Sequence, residues 1–222
     1  MKIICFSANA SFTAGIALLA IGAVTLSRAR SRQELPFASV PMIFGVQQLV
    51  EGSLWLGLPA QTATTHGLAI AYLLFSHVLW PILVPVAVWL IEPGAVQRKR
   101  MIFLLAAGTA TGLFFLYAMI TQPVFAAIKG AHISYNLPHP YDPVALSFYV
   151  AATCIAPLLS SHRTVRLFGL VLIGSMIATY VAYVTWFASV WCFFAALTSS
   201  TVFLHFLGRT APSTGETANS PR

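Results

Sequence analysis

A run of 41 consecutive residues, Leu167 to Leu207, contains no Asp, Glu, Lys or Arg. At ~1.5 Å per residue a single helix of that length would extend about 61 Å, twice the roughly 30 Å of a hydrocarbon core. The tract must therefore fold back as two helices, with the turn expected at Thr185-Trp186. Composition agrees that lipid is the solvent: 58% of residues are hydrophobic, 8% are charged and the mean hydropathy is +0.82, against roughly 25% charged residues in soluble domains.

Counted on the same basis, 222 residues hold about seven spans of ~20 residues joined by short connections. The expected spans are Phe6–Leu26, Phe37–Leu58, Leu68–Ile91, Met101–Ile120, Val144–Ser160, Leu167–Val184 and Phe187–Leu207. The fold class is thus all-α, a polytopic bundle of seven transmembrane helices over residues 1–207, followed by a disordered tail, 208–222, rich in Ser, Thr, Pro and Gly. Only Lys2 precedes the first apolar stretch and no small-x-small cleavage site follows it before Arg28, so the first span is expected to stay in the mature protein.

Cations set the orientation. Arg28, Arg30 and Arg32, then Arg98, Lys99 and Arg100, then Arg163 and Arg166 fall in alternate loops, and the tail adds Arg209 and Arg222. These are ten of the 12 basic residues; Lys2 and Lys129 lie on the other side. By the positive-inside rule the N-terminus faces outward and the tail is cytoplasmic. The net charge of +7 is therefore an orientation signal. The scattered cations form no basic face interleaved with aromatics, so nucleic acid is not an expected partner. The bilayer is, with a small-molecule ligand, a membrane-protein partner or a second copy of the chain as the further candidates.

An ionisable group inside a span costs about 2.5–3.5 kcal/mol or more and is retained with a partner or a purpose. Glu51 stands seven residues from the outer end of the second span and His77 nine from that of the third, about 10 and 13 Å deep. Adjacent antiparallel spans could bring carboxylate and imidazole together. Gln47, Gln48, Glu51 and Trp55 share one helical stripe, and His77 shares a face with Trp80 and Pro81. Pro81 and Pro85 free backbone carbonyls for a side chain or water to satisfy. Two readings stay open: an outward-opening polar pocket for a small ligand or a proton, lined by Gln47, Gln48, Glu51, Trp55, His77 and Trp80, or interhelical hydrogen bonds that merely staple the bundle.

Gly15 and Gly22 in the first span, and Gly108 and Gly112 in the fourth, read as close helix-packing positions. The long outer loop, Thr121–Pro143, carries His132, Tyr135, His139, Tyr141 and Asp142 and reads as an ordered lid, with Val124–Ile128 dipping into the interface. His132, His139 and Asp142 are metal-type ligands without HExxH, CxxC or a paired-His spacing, so no metal site is assigned. Cys154 reads as a core residue, and a bridge between Cys5 and Cys192 stays open. No Walker or dinucleotide motif occurs, no lysine is placed for a retinal Schiff base, and no cofactor is indicated.

Cys5-Phe6-Ser7-Ala8 with Ala10-Ser11-Phe12, Gln47-Gln48 followed by Glu51-Gly52 and Trp55, and His77 followed by Trp80-Pro81 resemble a family of uncharacterised bacterial multi-pass membrane proteins. The resemblance covers the first three spans best and implies a seven-span fold in the bacterial inner membrane. Lys2-Ile3-Ile4 here precede a motif that usually begins the protein. A more distant likeness, to seven-helix hydrolases of the alkaline ceramidase and progestin-receptor type, stops at the last helix, where His205 stands alone. The functional expectation is an integral membrane binding or sensing protein, with a metal-dependent intramembrane hydrolase or a structural subunit of a membrane complex as alternatives; whether it is an enzyme stays open.

Overall fold

The computed structural model of the protein describes residues 7–137, 143–183 and 186–207. Ser7 caps the first helix, α1 (Ala8–Ser27), by accepting from the Ala10 amide. A short helix, α2 (Leu35–Ala38), leads through Ser39 into α3 (Val40–Gly57), each with a proline in its first turn, where the missing N–H leaves no bond unmade. A 3₁₀ turn ends at Gln61, whose φ of 47° stops the helix, and Thr62 caps α4 (Ala63–Leu73). A π-helical stretch, Leu74–Leu79, carries α4 into α5 (Trp80–Ile91). Next come α6 (Ala95–Thr121), strands β1 (Phe125–Lys129) and β2 (His132–Asn136), and α7 (Pro143–Val150). A second π stretch, Ala151–Ile155, joins α7 to α8 (Ala156–Leu158), and α9 (Arg163–Tyr183) and α10 (Phe187–Leu207) complete the order.

The uncharged tract does form two helices in contact, α9 and α10, broken between Tyr183 and Phe187. Among the described residues five helices are long and apolar enough to cross a membrane: Ala8–Ser27, Ala63–Ile91, Ala95–Thr121, Arg163–Tyr183 and Phe187–Leu207. Three begin before the expected spans do, because helix formation continues through polar residues such as Gln97–Arg100 and Arg163–Arg166, whereas hydropathy marks only the apolar part. The expected tail lies outside the described residues.

The all-α expectation needs one correction. Part of the long outer loop is an antiparallel hairpin pairing Phe125 with Asn136 and Lys129 with His132. Its two-residue turn has Gly130 at φ 66°, the left-handed geometry that suits the twist of paired strands. Val124–Ile128, too short to span, runs into strand β1. The hairpin buries Val124, Ile133, Tyr135 and Leu137 against the helices, with β1 against α4 and β2 against α10.

Helix contacts follow the glycines. A Cβ on Gly22 would stand 2.5 Å from the Met42 amide nitrogen, and one on Gly45 would stand 2.9 Å from the Gly15 carbonyl. α1 and α3 thus meet almost backbone to backbone. On α6, a Cβ at Gly108 would run into the Pro81 carbonyl, and at Gly112 it would stand 3.0 Å from the Val78 carbonyl. These positions match the packing role read from the sequence. Gly108→Ala should destabilise the protein by about 1–3 kcal/mol, the usual range for overpacking. Gly67→Ala, at a helical glycine with nothing within 4 Å, should be neutral or slightly stabilising. Thermal unfolding in detergent checks both, and equal effects at the two sites would contradict the close approach.

Candidate functional site

A proline, Pro81, shapes the site. The Trp80 amide bonds five residues back, to the Phe75 carbonyl. The next donor in that π series would be Pro81, which has no N–H, so the Ser76 carbonyl is released. The Tyr149 hydroxyl of α7 donates to it at 2.6 Å. The expected freed carbonyl is thus satisfied by a side chain from a neighbouring helix.

On α3 the glycine face turns to α1 and the polar stripe turns inward. Gln47, Gln48 and Glu51 are all buried, Glu51 at 2% exposure. Ser189 of α10 donates to Glu51 Oε1 at 2.5 Å, and Gln48 Nε2 donates to Glu51 Oε2 at 3.3 Å. Trp80 Nε1 donates to Gln47 Oε1 at 2.7 Å while its ring stacks on Phe44 at 3.7 Å. The Tyr72 hydroxyl faces the Glu51 carboxyl and the Cys192 thiol, short of good hydrogen-bond geometry. Tyr135 of the hairpin lies flat on Tyr72, ring centroids 4.6 Å apart and planes 3° off parallel. Burial, then the nearby Glu51 carboxyl, push the Tyr135 hydroxyl well above the usual phenol range. Among the described residues no cation pairs with Glu51. Gln47 Nε2, Gln48 Oε1 and the Tyr72 and Tyr135 hydroxyls are buried without hydrogen-bond partners.

His77 takes a different place. Its Nδ1 lies 2.7 Å from Ser76 Oγ and its ring meets the edge of Phe115. The expected carboxylate–imidazole contact with Glu51 is not made; the π turn carries His77 to another side of the helix. There it lines a cavity of about 40 Å³ with Ser76, Phe115, Tyr149, Trp191 and Cys192, room enough for water. Trp55 is half-buried and packs against the hydrophobic core without a hydrogen bond to the stripe. The structure therefore unites Gln47, Gln48, Glu51 and Trp80 and separates them from His77 and Trp55.

Sequence reasoning missed Ser189 and Tyr72, each an ordinary residue in an apolar helix, and read Tyr135 only as part of an ordered lid. It also missed Glu92, which lies at the far end of the bundle in the turn between α5 and α6. Glu92 accepts from Ser160 Oγ at 2.9 Å, Ser161 N at 2.8 Å, Ser161 Oγ at 2.5 Å and Gly94 N at 3.1 Å. Burial alone would raise its pKa, but the Ser161, Ser160 and Gly94 donors outweigh that and hold the carboxyl below its usual range. Next to it the His162 ring nitrogen donates to the Ile91 carbonyl at 3.1 Å and the ring meets His205 at 4.8 Å, while Thr164 bonds His205 Nδ1. Glu92 is a buried anion that ties the α5–α6 turn to the start of α9.

The metal-type residues do not converge: among the described residues no three His, Cys, Asp or Glu are placed to hold a metal ion. His132, its pKa lowered by burial, packs against Tyr183 and Trp186. His139 and Asp142 lie outside the described residues, as does Cys5; Cys192 carries a free, buried thiol.

The arrangement defines a helical bundle with helices long and apolar enough to cross a membrane and a buried carboxyl held by neutral donors. The chain belongs to a family described as a family of unknown function, DUF6629, whose model matches residues 4–218. No curated protein and no solved structure matches it.

The Glu92 geometry has a pH signature. A carboxyl whose folded pKa is depressed stabilises the fold fully above the usual carboxylate range and loses that contribution as pH falls through the folded value. Glu92→Gln should lower stability near neutral pH by about 1.5–3 kcal/mol, the scale of a hydrogen bond to a charge. It should also flatten the acid limb of the stability profile. Parallel profiles for the two proteins would rule out the anionic tie.

Proposed function

We propose that the protein is an integral membrane binding or sensing protein of a bacterial inner membrane whose Glu51 cluster takes up and releases a proton. The observation that carries this reading is the carboxyl itself: buried, paired with no cation among the described residues, and ringed by hydroxyls and amides that serve either protonation state. With Glu51 ionised, the Gln48 amide donates; with Glu51 protonated, a turned amide presents Oε1, the acceptor now lacking a partner, to the new O–H. The cavities that reach the cluster, at Cys192 and Trp80, hold only about 40 and 20 Å³, which favours a proton over a larger ligand. The hairpin is the roof: Tyr135 lies over Tyr72 of the cluster, so in this reading exchange with the outside requires the hairpin to lift.

Seven crossings, with the N-terminus outside and the C-terminus in the cytoplasm, suit this reading. α3 falls short in hydropathy because of Gln47, Gln48 and Glu51, which are buried in protein and never meet lipid. Pro143–Leu158 is short but apolar. The second reading, a small polar ligand, is favoured by the His77 cavity alone.

Infrared difference spectra across pH should show a carboxylic-acid band giving way to a carboxylate band, and Glu51→Gln should lose that component while the other four Asp and Glu keep theirs. Identical spectra for the two proteins overturn the proton site. A reporter active only outside the cytoplasm should be silent when fused after Arg222 and active when inserted at Gly130; strong activity at Arg222 overturns the topology.

A further inference from the structure

Glu92 and its partners draw several cationic segments to one end of the bundle. The α5–α6 turn meets the start of α9 through Ser160 and Ser161, and Thr164 meets the end of α10 through His205. The end of α1 meets α10 where Arg28 lies over the Phe203 ring at 5.3 Å. Arg98 lies over Trp89 at 4.4 Å. Arg28, Arg30, Arg32, Arg98, Lys99, Arg100, Arg163 and Arg166 thereby share one end, eight of the chain's 12 Lys and Arg. Of the described carboxylates there, Glu92 is buried as above, and the half-buried Glu34 accepts from the Arg30 amide at 2.8 Å.

A second observation says what the cations face. Arg98, Lys99 and Arg100 stand within one turn of Val96, Ile102 and Phe103, which are 60%, 51% and 78% exposed. Arg166 adjoins Leu167 and Leu170, 45% and 59% exposed, and Arg28 adjoins Val24, 45% exposed. Cations directly beside bare aliphatic and aromatic surface suit a molecule that is anionic at one end and hydrocarbon at the other. A nucleic acid or an acidic peptide would leave the apolar half of that boundary uncovered. We infer that this end of the bundle binds anionic phospholipid headgroups, with the acyl chains lying along α6 and α9. The attraction is about 1 kcal/mol per cation near the surface, or roughly fivefold in local lipid enrichment, and it is screened by salt.

The inference rests on the bundle lying in a bilayer. The full chain is reconstituted in nanodiscs of phosphatidylcholine alone or mixed with phosphatidylglycerol, and the lipid retained after detergent extraction is quantified. The wild type should retain phosphatidylglycerol above its bulk fraction at low salt and lose the excess at high salt. A variant with Arg98→Gln, Lys99→Gln, Arg100→Gln, Arg163→Gln and Arg166→Gln should lose it at any salt while unfolding normally in phosphatidylcholine. Lys129→Gln, on the hairpin, should keep it. Equal retention of both lipids by the wild type, an excess that survives in the five-site variant, or an excess lost equally in Lys129→Gln overturns the inference. Failure to enter neutral nanodiscs would overturn the membrane reading as well.

Discussion

A carboxyl inside an apolar helical bundle has to be met by hydrogen-bond donors that the protein supplies itself, and much of the structure around α3 follows from how Glu51 is met. Ser189 reaches it from α10, Gln48 from one turn earlier on α3, and Tyr72 faces it from α4. Gln47 extends the same stripe to Trp80 on α5. α3 is therefore held from several sides by polar contacts, while its glycine face lets α1 approach from the other. A buried carboxyl with neutral partners is costly as an anion and inexpensive as an acid, which is the physical ground for the proton exchange we propose.

A proline supplies the second constraint. Pro81 removes one donor from a helix already widened into a π turn, and the released Ser76 carbonyl recruits Tyr149 from α7. The same widening turns His77 away from Glu51 and toward its own cavity. One local defect thus joins two helices and divides what helical spacing alone would have made one site.

Much of the helical framework was legible in the sequence because it depends on apolar length, and the uncharged tract from Leu167 had to break in two. Gly22 and Gly108 were legible as packing positions because small residues have few other uses on apolar helices. The polar stripe was legible from its helical spacing, but its partners were not. Ser189 and Tyr72 differ from their neighbours only in pointing at Glu51, a relation between helices that spacing within one helix does not encode. The hairpin was hidden by its turn, which uses Gly130-Ala131 in place of Asn-Gly or Asp-Gly. Glu92 went unread because a glutamate before Pro93-Gly94 at a helix end looks like any solvated loop residue, and only its serine donors from a distant turn make it an internal anion.

The central claim is that the Glu51 cluster is sealed beneath the hairpin and exposed only when the hairpin lifts. Cys192 faces the same Tyr72 hydroxyl, is buried and also lines the His77 cavity, so the part of its reactivity that responds to the hairpin reports on the seal. In a protein carrying Cys5→Ser and Cys154→Ala, the most direct measurement is the rate at which a water-soluble maleimide modifies Cys192, with and without Tyr135→Ala. The account predicts slow modification when Tyr135 is present and a rate at least tenfold higher when it is removed. Fast modification of the protein with Tyr135 in place, or a rate indifferent to Tyr135→Ala, would contradict it.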